Sequence, residues 1–242
     1  LPDMYDNSTT SASGIGEWGL MGAGNWLSQT SPTYMSAWSR YKLGYITPDT
    51  IENVINYPLT IYPAEGADVD AAYILPLDSN LPQEYLMLEN RQNLSSSSDK
   101  HLPGSGLLVW HIDETITEMY PLSASINQNK KFYGVNLLQA DGLEEMFTEC
   151  NSYEGENYIP CADIGDPFPL STNTMLTGST NPNTDIYSYD RDADGIDEEG
   201  GDSGIEITGI EEENQIITLT VSNPNIQGNI VAYDEDNIGM WS

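Results

Sequence analysis

The sequence is poor in positive charge. It carries 7 Lys plus Arg against 38 Asp plus Glu over 242 residues, which gives a formal net charge of -31 at pH 7. Nucleic acids and anionic membranes are bound through clustered basic residues that replace counterions, so neither is expected as a partner. An excess of carboxylates repels itself in a compact fold, and the composition therefore predicts bound divalent cations or a salty medium, both typical of an extracellular protein.

Long apolar runs are also missing. No stretch of about eighteen apolar residues occurs, so no membrane span is expected. The chain does not begin with a basic stretch followed by an apolar one, as a signal peptide does, and we interpret Leu1 as the result of a cut.

Only two cysteines are present, Cys150 and Cys161, in the loop-like stretch TECNSYEGENYIPCAD. Two free thiols of a cytosolic protein are one interpretation. The acidic composition and the loop context favour the other, a Cys150–Cys161 disulfide formed in an oxidising compartment. Neither cysteine has a neighbouring histidine that would make it a nucleophile.

Aromatic and aliphatic residues are frequent enough for a packed interior, since 15 Tyr and 5 Trp accompany the acidic groups. One helix is predicted, with Ser31 as its cap, Pro32 in its first turn and Gly44 at its end. The remaining chain predicts an α+β fold that is mostly β. The expected strands lie in the runs NYPLTIYPA, AAYILPL, EYLMLENR, GLLVWHIDE, YGVNLLQAD, GIEITGI and NQIITLTVS.

The run GLLVWHIDE places Leu107, Val109, His111 and Asp113 on one strand face and Leu108, Trp110 and Ile112 on the other. His111 and Asp113, with Glu89 and Arg91 from a neighbouring run, could form a second metal site. A structural histidine that is hydrogen-bonded within the sheet is the simpler interpretation. The other histidine, His101, is expected to be exposed in a polar loop.

A calcium loop is predicted in DRDADGIDEE, between Asp190 and Glu199. Asp190, Asp192 and Asp194 alternate ahead of Gly195, a pattern that wraps oxygen ligands around a cation with a sharp turn at the glycine. Gly201 stands where an EF-hand has its bidentate glutamate, so Asp197, Glu198 or Asp202 would have to replace it. A solvated acidic loop is the alternative.

Several segments resemble, in the same order, those of the immune-inhibitor-A family of secreted zinc metalloproteases. The resemblance covers about residues 1 to 222, and its most specific segment is the helix SPTYMSAWSRYKLGYI. The other matching segments are LPDMYD, GIGEWGLMGAGNW, YLMLENRQ, LPGSGLLVWHIDE, GVNLLQADG and GDPFPLSTN.

The resemblance implies a zinc site. In that family a helix bearing HExxH runs into GLPDxYD, so Asp3 stands at the position of the third zinc ligand and Met21 at that of the Met-turn methionine. An ordinary turn aspartate and an ordinary core methionine are the alternatives. Asp163 and Asp166, in ADIGDPF, resemble a carboxylate-rich family segment and form a weaker calcium candidate.

The resemblance also implies an organisation and a cellular context. Residues 1–48 correspond to the lower part of a metzincin-like catalytic domain, 49–222 to a sandwich-like β-rich region with calcium loops, and 223–242 to a linker or the start of a further module. The protein is expected to be secreted by a bacterium and to act on proteins or peptides.

The chain departs from the family pattern in one respect: it contains no HExxH. Both histidine ligands and the general base would have to come from an upstream segment, so this chain alone is expected to be inactive. The alternative is a non-catalytic extracellular calcium-binding β module, such as an adhesin or a carbohydrate binder.

Overall fold

The protein is described by a computed structural model that covers residues 1–6, 12–28, 30–66, 72–119, 126–129, 131–147, 152–154, 157–190, 200–224 and 231–232. The helices are α1 (Ala37–Lys42) and α2 (Glu114–Met119). The strands in chain order are β1 (Asp49–Thr50), β2 (Val54–Ile61), β3 (Ala72–Pro76), β4 (Glu84–Arg91), β5 (Gly106–Asp113), β6 (Val135–Leu137), β7 (Ser152–Glu154), β8 (Asn157–Ile159), β9 (Glu206–Glu213), β10 (Ile216–Asn223) and β11 (Val231–Ala232).

The fold is mostly β, as the sequence predicts, and each of the extended runs contains a strand. A five-stranded mixed sheet has the order β1-β3-β4-β5-β6, with β1 parallel to β3 and the other neighbours antiparallel. A four-stranded sheet has the order β11-β2-β10-β9, and β7 pairs with β8 as a separate hairpin. Asn214 and Gln215 join β9 to β10 with positive φ angles of 53° and 72°, the backbone that a two-residue hairpin turn requires.

Two hydrophobic cores lie on the two faces of the five-stranded sheet. Leu107 and Val109 of β5 face the four-stranded sheet and pack with residues such as Ile61 and Leu219. On the other face Trp110 belongs to a core that the N-terminal segment covers. The alternating faces predicted for GLLVWHIDE are therefore confirmed, and both are buried because the sheet lies between two layers.

The N-terminal segment is largely irregular, as predicted, with short 3₁₀ turns at Gly16–Trp18 and Ala23–Asn25. Its Met4, Ile15 and Trp18 side chains share the second core with strands β4 and β5. Residues 1–48 thus pack directly on the β-rich part of the chain.

The predicted helix start is wrong. Helix α1 begins at Ala37, and its N-cap is Ser36, whose hydroxyl accepts a hydrogen bond from the Ser39 amide at 3.3 Å. Residues 31–34 make contacts with a distant segment instead. The Ser31 hydroxyl donates to the Ser98 carbonyl at 3.3 Å, and the Tyr34 amide donates to Asp99 at 2.9 Å.

The end of α1 agrees with the sequence, since Gly44 follows it with a φ of 72°, a left-handed conformation that favours glycine. Helix α2 was not predicted. It follows β5 directly, and the Asp113 side chain accepts a hydrogen bond from the Thr115 amide at 2.9 Å. Asp113 therefore initiates a helix.

A buried charge network joins α1 to the sheet. Glu89 on β4 lies 2.9 Å from Arg40 of α1 and 3.4 Å from Arg91, and it accepts a hydrogen bond from the Trp110 indole at 2.8 Å. Arg91 makes two contacts of 2.6 Å with Asp99. The two carboxylates balance the two guanidinium groups, so the buried group carries no net charge.

Strand β6 is the edge strand at one end of the five-stranded sheet, and a side chain covers it. Asn127 accepts a hydrogen bond from the Val135 amide at 3.0 Å and donates to the Val135 carbonyl at 2.7 Å. Asn127 is fully buried, and its amide group pairs with the strand as a neighbouring backbone would. The same side-chain nitrogen donates to the Met4 carbonyl at 3.1 Å, which ties the N-terminal segment to this edge.

None of the helices in the described part of the chain has the length and the apolar character needed to span a lipid bilayer.

Candidate functional site

The segment that carries Asp3 is held in place through its neighbour Met4. The Met4 amide donates to the Met21 carbonyl at 2.9 Å, and the Ile15 amide donates to the Met4 carbonyl at 3.2 Å. Met4 is fully buried, whereas Asp3 is exposed. The structure thus brings the Asp3 and Met21 segments together, although 16 residues lie between Met4 and Met21 in the sequence.

Gly14 makes this arrangement possible. Its φ is 62°, and a Cβ atom there would lie 1.7 Å from the Met4 carbonyl oxygen. Any residue with a Cβ atom at position 14 would therefore push the Met4 carbonyl away.

The surroundings of Asp3 are negatively charged. The pKa of the Tyr5 phenol is raised above its ordinary value, mainly by burial and further by the carboxylates of Asp3 and Glu17, although a hydrogen bond with Trp26 opposes the shift. A cation bound near Asp3 would offset this excess of negative charge.

A complete zinc site is not assembled from the described residues. Among the described residues, three or more His, Cys, Asp or Glu side chains come close enough to hold a metal ion only in a cluster that does not include Asp3. His101 is exposed in the 3₁₀ turn Ser98–His101. His111 is buried and lies 2.8 Å from Glu84. Asp3 therefore offers a single carboxylate ligand, and the chain does not by itself fit the two-His site that the resemblance implies.

His111 is a structural histidine, in agreement with the simpler interpretation of the sequence. The second metal site considered with Glu89 and Arg91 is wrong, because His111 lies opposite Leu86 and Glu89 lies opposite Leu108. Residues directly opposite in an antiparallel pair share a face, so Glu89 and Arg91 belong to the other face of the sheet.

An acidic cluster forms elsewhere, from Asp141, Glu145 and Asp163. One ligand oxygen from each residue lies within 4.8 Å of the others. Asp141 lies in the loop after β6, and Glu145 is the first residue of a 3₁₀ turn. Asp163 lies in the loop after Cys161. The structure therefore gives Asp163, one of the predicted calcium ligands, two carboxylate neighbours.

Backbone pairing between two loops creates this acidic cluster. The Ala140 amide donates to the Asp166 carbonyl at 2.9 Å, and the Asp141 amide donates to the Gly165 carbonyl at 3.1 Å. Gly165 permits the close approach, since a Cβ atom there would lie 2.3 Å from a carboxylate oxygen of Asp141.

Asp166, the second residue of the calcium prediction in ADIGDPF, is not part of the acidic cluster. Its buried carboxylate accepts hydrogen bonds from the Trp18 indole at 2.8 Å, the Asp163 amide at 2.8 Å and the Gln139 amide group at 2.6 Å. Gln139 also donates to Glu145 at 2.8 Å. Asp166 thus fixes the positions of the residues that form the acidic cluster.

The electrostatics of the acidic cluster favour a cation. Burial raises the pKa of Glu145, and the charges of Asp141 and Asp163 raise it further, although a backbone and a side-chain hydrogen bond act against the shift. Burial also raises the pKa of Asp166 to about 7, against the hydrogen bonds that its carboxylate accepts. Carboxylate oxygens are the ligands that Ca²⁺ prefers, and a bound ion would remove the repulsion.

The other calcium prediction lies mostly outside the described residues. Asp192, Asp194, Asp197 and Glu198 belong to the part that the structure does not describe, and Asp190 is the last described residue before it. That loop stays a prediction.

Cys161 takes part in a disulfide bond, while Cys150, the other cysteine of the chain, lies outside the described residues. The buried carboxylate of Glu17 accepts hydrogen bonds from the Cys161 amide at 3.3 Å and from the Ala162 amide at 2.8 Å. The Cys161 sulfur lies 2.7 Å from the Ser13 hydroxyl. The N-terminal segment therefore holds the loop that leads into the acidic cluster.

We expect the Cys150–Cys161 disulfide to form in protein from its native compartment. Alkylation without reductant should leave the intact mass unchanged, and alkylation after reduction should add two groups. Closing a loop this short stabilises a fold by about 2 to 3 kcal/mol in the chain-entropy model, so the Cys150→Ser, Cys161→Ser double variant should unfold more easily by that amount. Two alkylated thiols in unreduced protein would contradict the pairing.

Sequence reasoning missed Asp141 and Glu145. The available signal was the pair of acidic, glycine-containing loops QADGLEE and ADIGDPF. Each loop alone resembles an ordinary turn, and only their pairing places the carboxylates together.

Comparison of the chain with family models, with curated proteins and with solved structures found no match.

Proposed function

We propose that this chain is part of a secreted zinc-dependent endopeptidase of the immune-inhibitor-A type, stabilised by calcium and acting on protein or peptide substrates. The observation that carries the proposal is the hydrogen bond from the Met4 amide to the Met21 carbonyl. It joins the two segments for which the resemblance implies a zinc ligand and the Met-turn beneath it. Spacing along the chain does not require that contact.

In this proposal Asp3 supplies the third zinc ligand, and two histidines and a glutamate base come from residues outside this chain. Bound zinc would polarise the scissile carbonyl and lower the pKa of a water molecule. The part of this chain is to hold the Asp3 carboxylate in place. The burial of Met4 and the hydrogen bonds of its backbone supply that rigidity.

The test uses the intact natural protein, including any segment upstream of Leu1. Asp3→Ala should lose zinc and casein cleavage together, because a ligand is removed. Met21→Leu changes only packing, so it should keep most of the zinc and cost less activity. This chain expressed alone should not cleave casein. Zinc content by elemental analysis, measured beside turnover, separates these cases.

Full zinc occupancy and near-normal turnover in the Asp3→Ala protein would show that Asp3 is a turn residue and that the ligand assignment is wrong. The absence of a HExxH helix from the natural protein would remove the peptidase proposal as a whole.

The second candidate function is a non-catalytic calcium-binding module. It is favoured by the acidic cluster of Asp141, Glu145 and Asp163, since all of its carboxylates belong to this chain. The gene sequence upstream of Leu1 discriminates between the two candidates. A HExxH motif ending in Gly supports the peptidase, and an unrelated domain supports the module.

A further inference from the structure

A cavity of about 230 Å³ lies beside strand β6, between this edge of the sheet and residues 181–187. Its volume is more than ten times the roughly 10 to 15 Å³ that one water molecule needs. The aromatic residues among its lining are Phe132, Tyr133, Phe147 and Tyr187. The rest of the lining is largely polar and includes three asparagines, so the cavity offers hydrogen-bonding groups beside its aromatic rings.

The aromatic walls of the cavity are fixed by their contacts. Tyr187 stacks on His111, with ring centroids 3.9 Å apart and planes inclined by 9°. Phe132 stacks on Tyr189 at 4.6 Å, and its ring lies 6.4 Å from that of Tyr187. These rings are therefore held in place before a ligand binds, which lowers the entropic cost of binding.

A partly buried carboxylate, that of Asp185, lines the cavity. Glu144 and Lys131 line it as well and are both exposed to solvent, and His111, also in the lining, lies 2.8 Å from Glu84. Burial raises the pKa of Asp185, and the charge of the nearby Asp202 raises it further, although Asn183 and His111 act in the opposite direction. A cation beside Asp185 would relieve this cost.

We infer that the cavity binds the guanidinium group of an arginine side chain. A guanidinium is planar, so it can lie on the face of one ring, that of Phe132 or that of Tyr187, and still present paired donors to a carboxylate such as Asp185. The negative charge of the protein, -31 in total, attracts basic ligands to this surface.

The cavity also adjoins the proposed zinc-ligand segment. Tyr133 lines the cavity, and its hydroxyl donates to the Asp6 carboxylate at 3.3 Å; Asp6 lies three residues after Asp3 in LPDMYD. The inference deepens the proposed function by naming an arginine of the protein substrate as the occupant, and it rests on that function only for this identification. Guanidinium binding itself is a property of this chain.

The experiment titrates this chain, without zinc, with N-acetyl-arginine amide and with N-acetyl-citrulline amide, by calorimetry at low ionic strength. Citrulline has the shape of arginine without its charge. Arginine should bind about tenfold more tightly or better. Asp185→Asn should reduce arginine affinity about tenfold, and Phe132→Leu should reduce it severalfold through loss of the ring face.

Asp49→Asn is the matched control, because it removes one exposed carboxylate from β1, at the opposite edge of the same sheet. It should leave the affinity unchanged. Melting curves of all variants show that the fold is retained, and Phe132→Leu still tests the site if Asp185→Asn does not fold.

Equal binding of arginine and citrulline, no binding of either, or equal loss in Asp185→Asn and Asp49→Asn would overturn the inference. Binding of a neutral oligosaccharide in place of arginine would also overturn it. Because the titration needs neither zinc nor turnover, arginine binding by this chain, together with an intact natural protein that has no protease activity, would refute the proposed function and leave the guanidinium site standing.

Discussion

Replacing Glu89 by glutamine is expected to lower the free energy of unfolding by about 3 to 5 kcal/mol, the usual cost of breaking a buried ion pair by removing one partner. Glu89 is the carboxylate that pairs with Arg40, whereas Arg91 keeps its two contacts with Asp99. The substitution leaves the buried guanidinium of Arg40 uncompensated. It also places an amide nitrogen where Glu89 accepts a hydrogen bond.

Glu211→Gln is the control for this change, because Glu211 is an exposed glutamate on β9. It should alter stability by no more than about 0.5 kcal/mol. The double variant Glu89→Gln, Arg40→Met removes both members of the pair and should be less destabilised than the sum of the single variants. Denaturant unfolding measures the unmodified chain, the single variants Glu89→Gln, Arg40→Met and Glu211→Gln, and the double variant. Similar, small effects of Glu89→Gln and Glu211→Gln would show that the buried network contributes little.

Calcium is expected to raise the melting temperature of this chain. At a concentration about a hundredfold above the dissociation constant, one ion that binds only the folded state adds about 2.7 kcal/mol to the free energy of unfolding. The acidic cluster and the loop at 190–199 are the two proposed locations. Identical melting curves in calcium and in chelator would exclude both.

Two sets of substitutions separate these locations. Asp141→Asn with Glu145→Gln disables the acidic cluster, and Asp192→Asn with Asp194→Asn disables the loop. The set that removes the calcium response identifies the site. In chelator, the Asp141→Asn, Glu145→Gln protein should be at least as stable as the unmodified chain, because the substitutions remove repulsion with Asp163. Loss of stability in chelator would mean that these carboxylates have a structural role without calcium.

Strands β2 to β6, β9 and β10 were accessible from the sequence because each is an alternating or continuous apolar run between Pro, Gly, Asn or Asp residues. The two- and three-residue strands β1, β7, β8 and β11 were not predicted, since they contain no such run. The faces of β5 followed from the two-residue period alone. The pairing register did not. The sequence predicted that Glu89 and Arg91, in the neighbouring run EYLMLENR, share a face with His111. The antiparallel register places Leu86 opposite His111 instead. A register shift of one residue moves every side chain of a strand to the other face of the sheet, and the local sequence does not indicate the register.

The start of α1 shows the same limit. Ser31 and Pro32 form a good helix-start signal, yet Ser98 and Asp99 hold residues 31 and 34 through hydrogen bonds. Local preference is worth less than these tertiary contacts, so the helix begins at Ala37 instead. The sequence predicted only part of the acidic cluster, because tertiary contacts form the rest. Asp163 was identified by its motif, whereas Asp141 and Glu145 approach it through the pairing of two loops.

The side chain of Asn127 also affects how copies of this protein meet one another. A strand edge with unpaired amide and carbonyl groups is a template for pairing with another chain, which leads to aggregation. Asn127 engages both groups of Val135 on β6, so a second copy cannot extend the sheet at that residue. We therefore expect Asn127 to oppose pairing of β6 with a second copy, in addition to anchoring Met4.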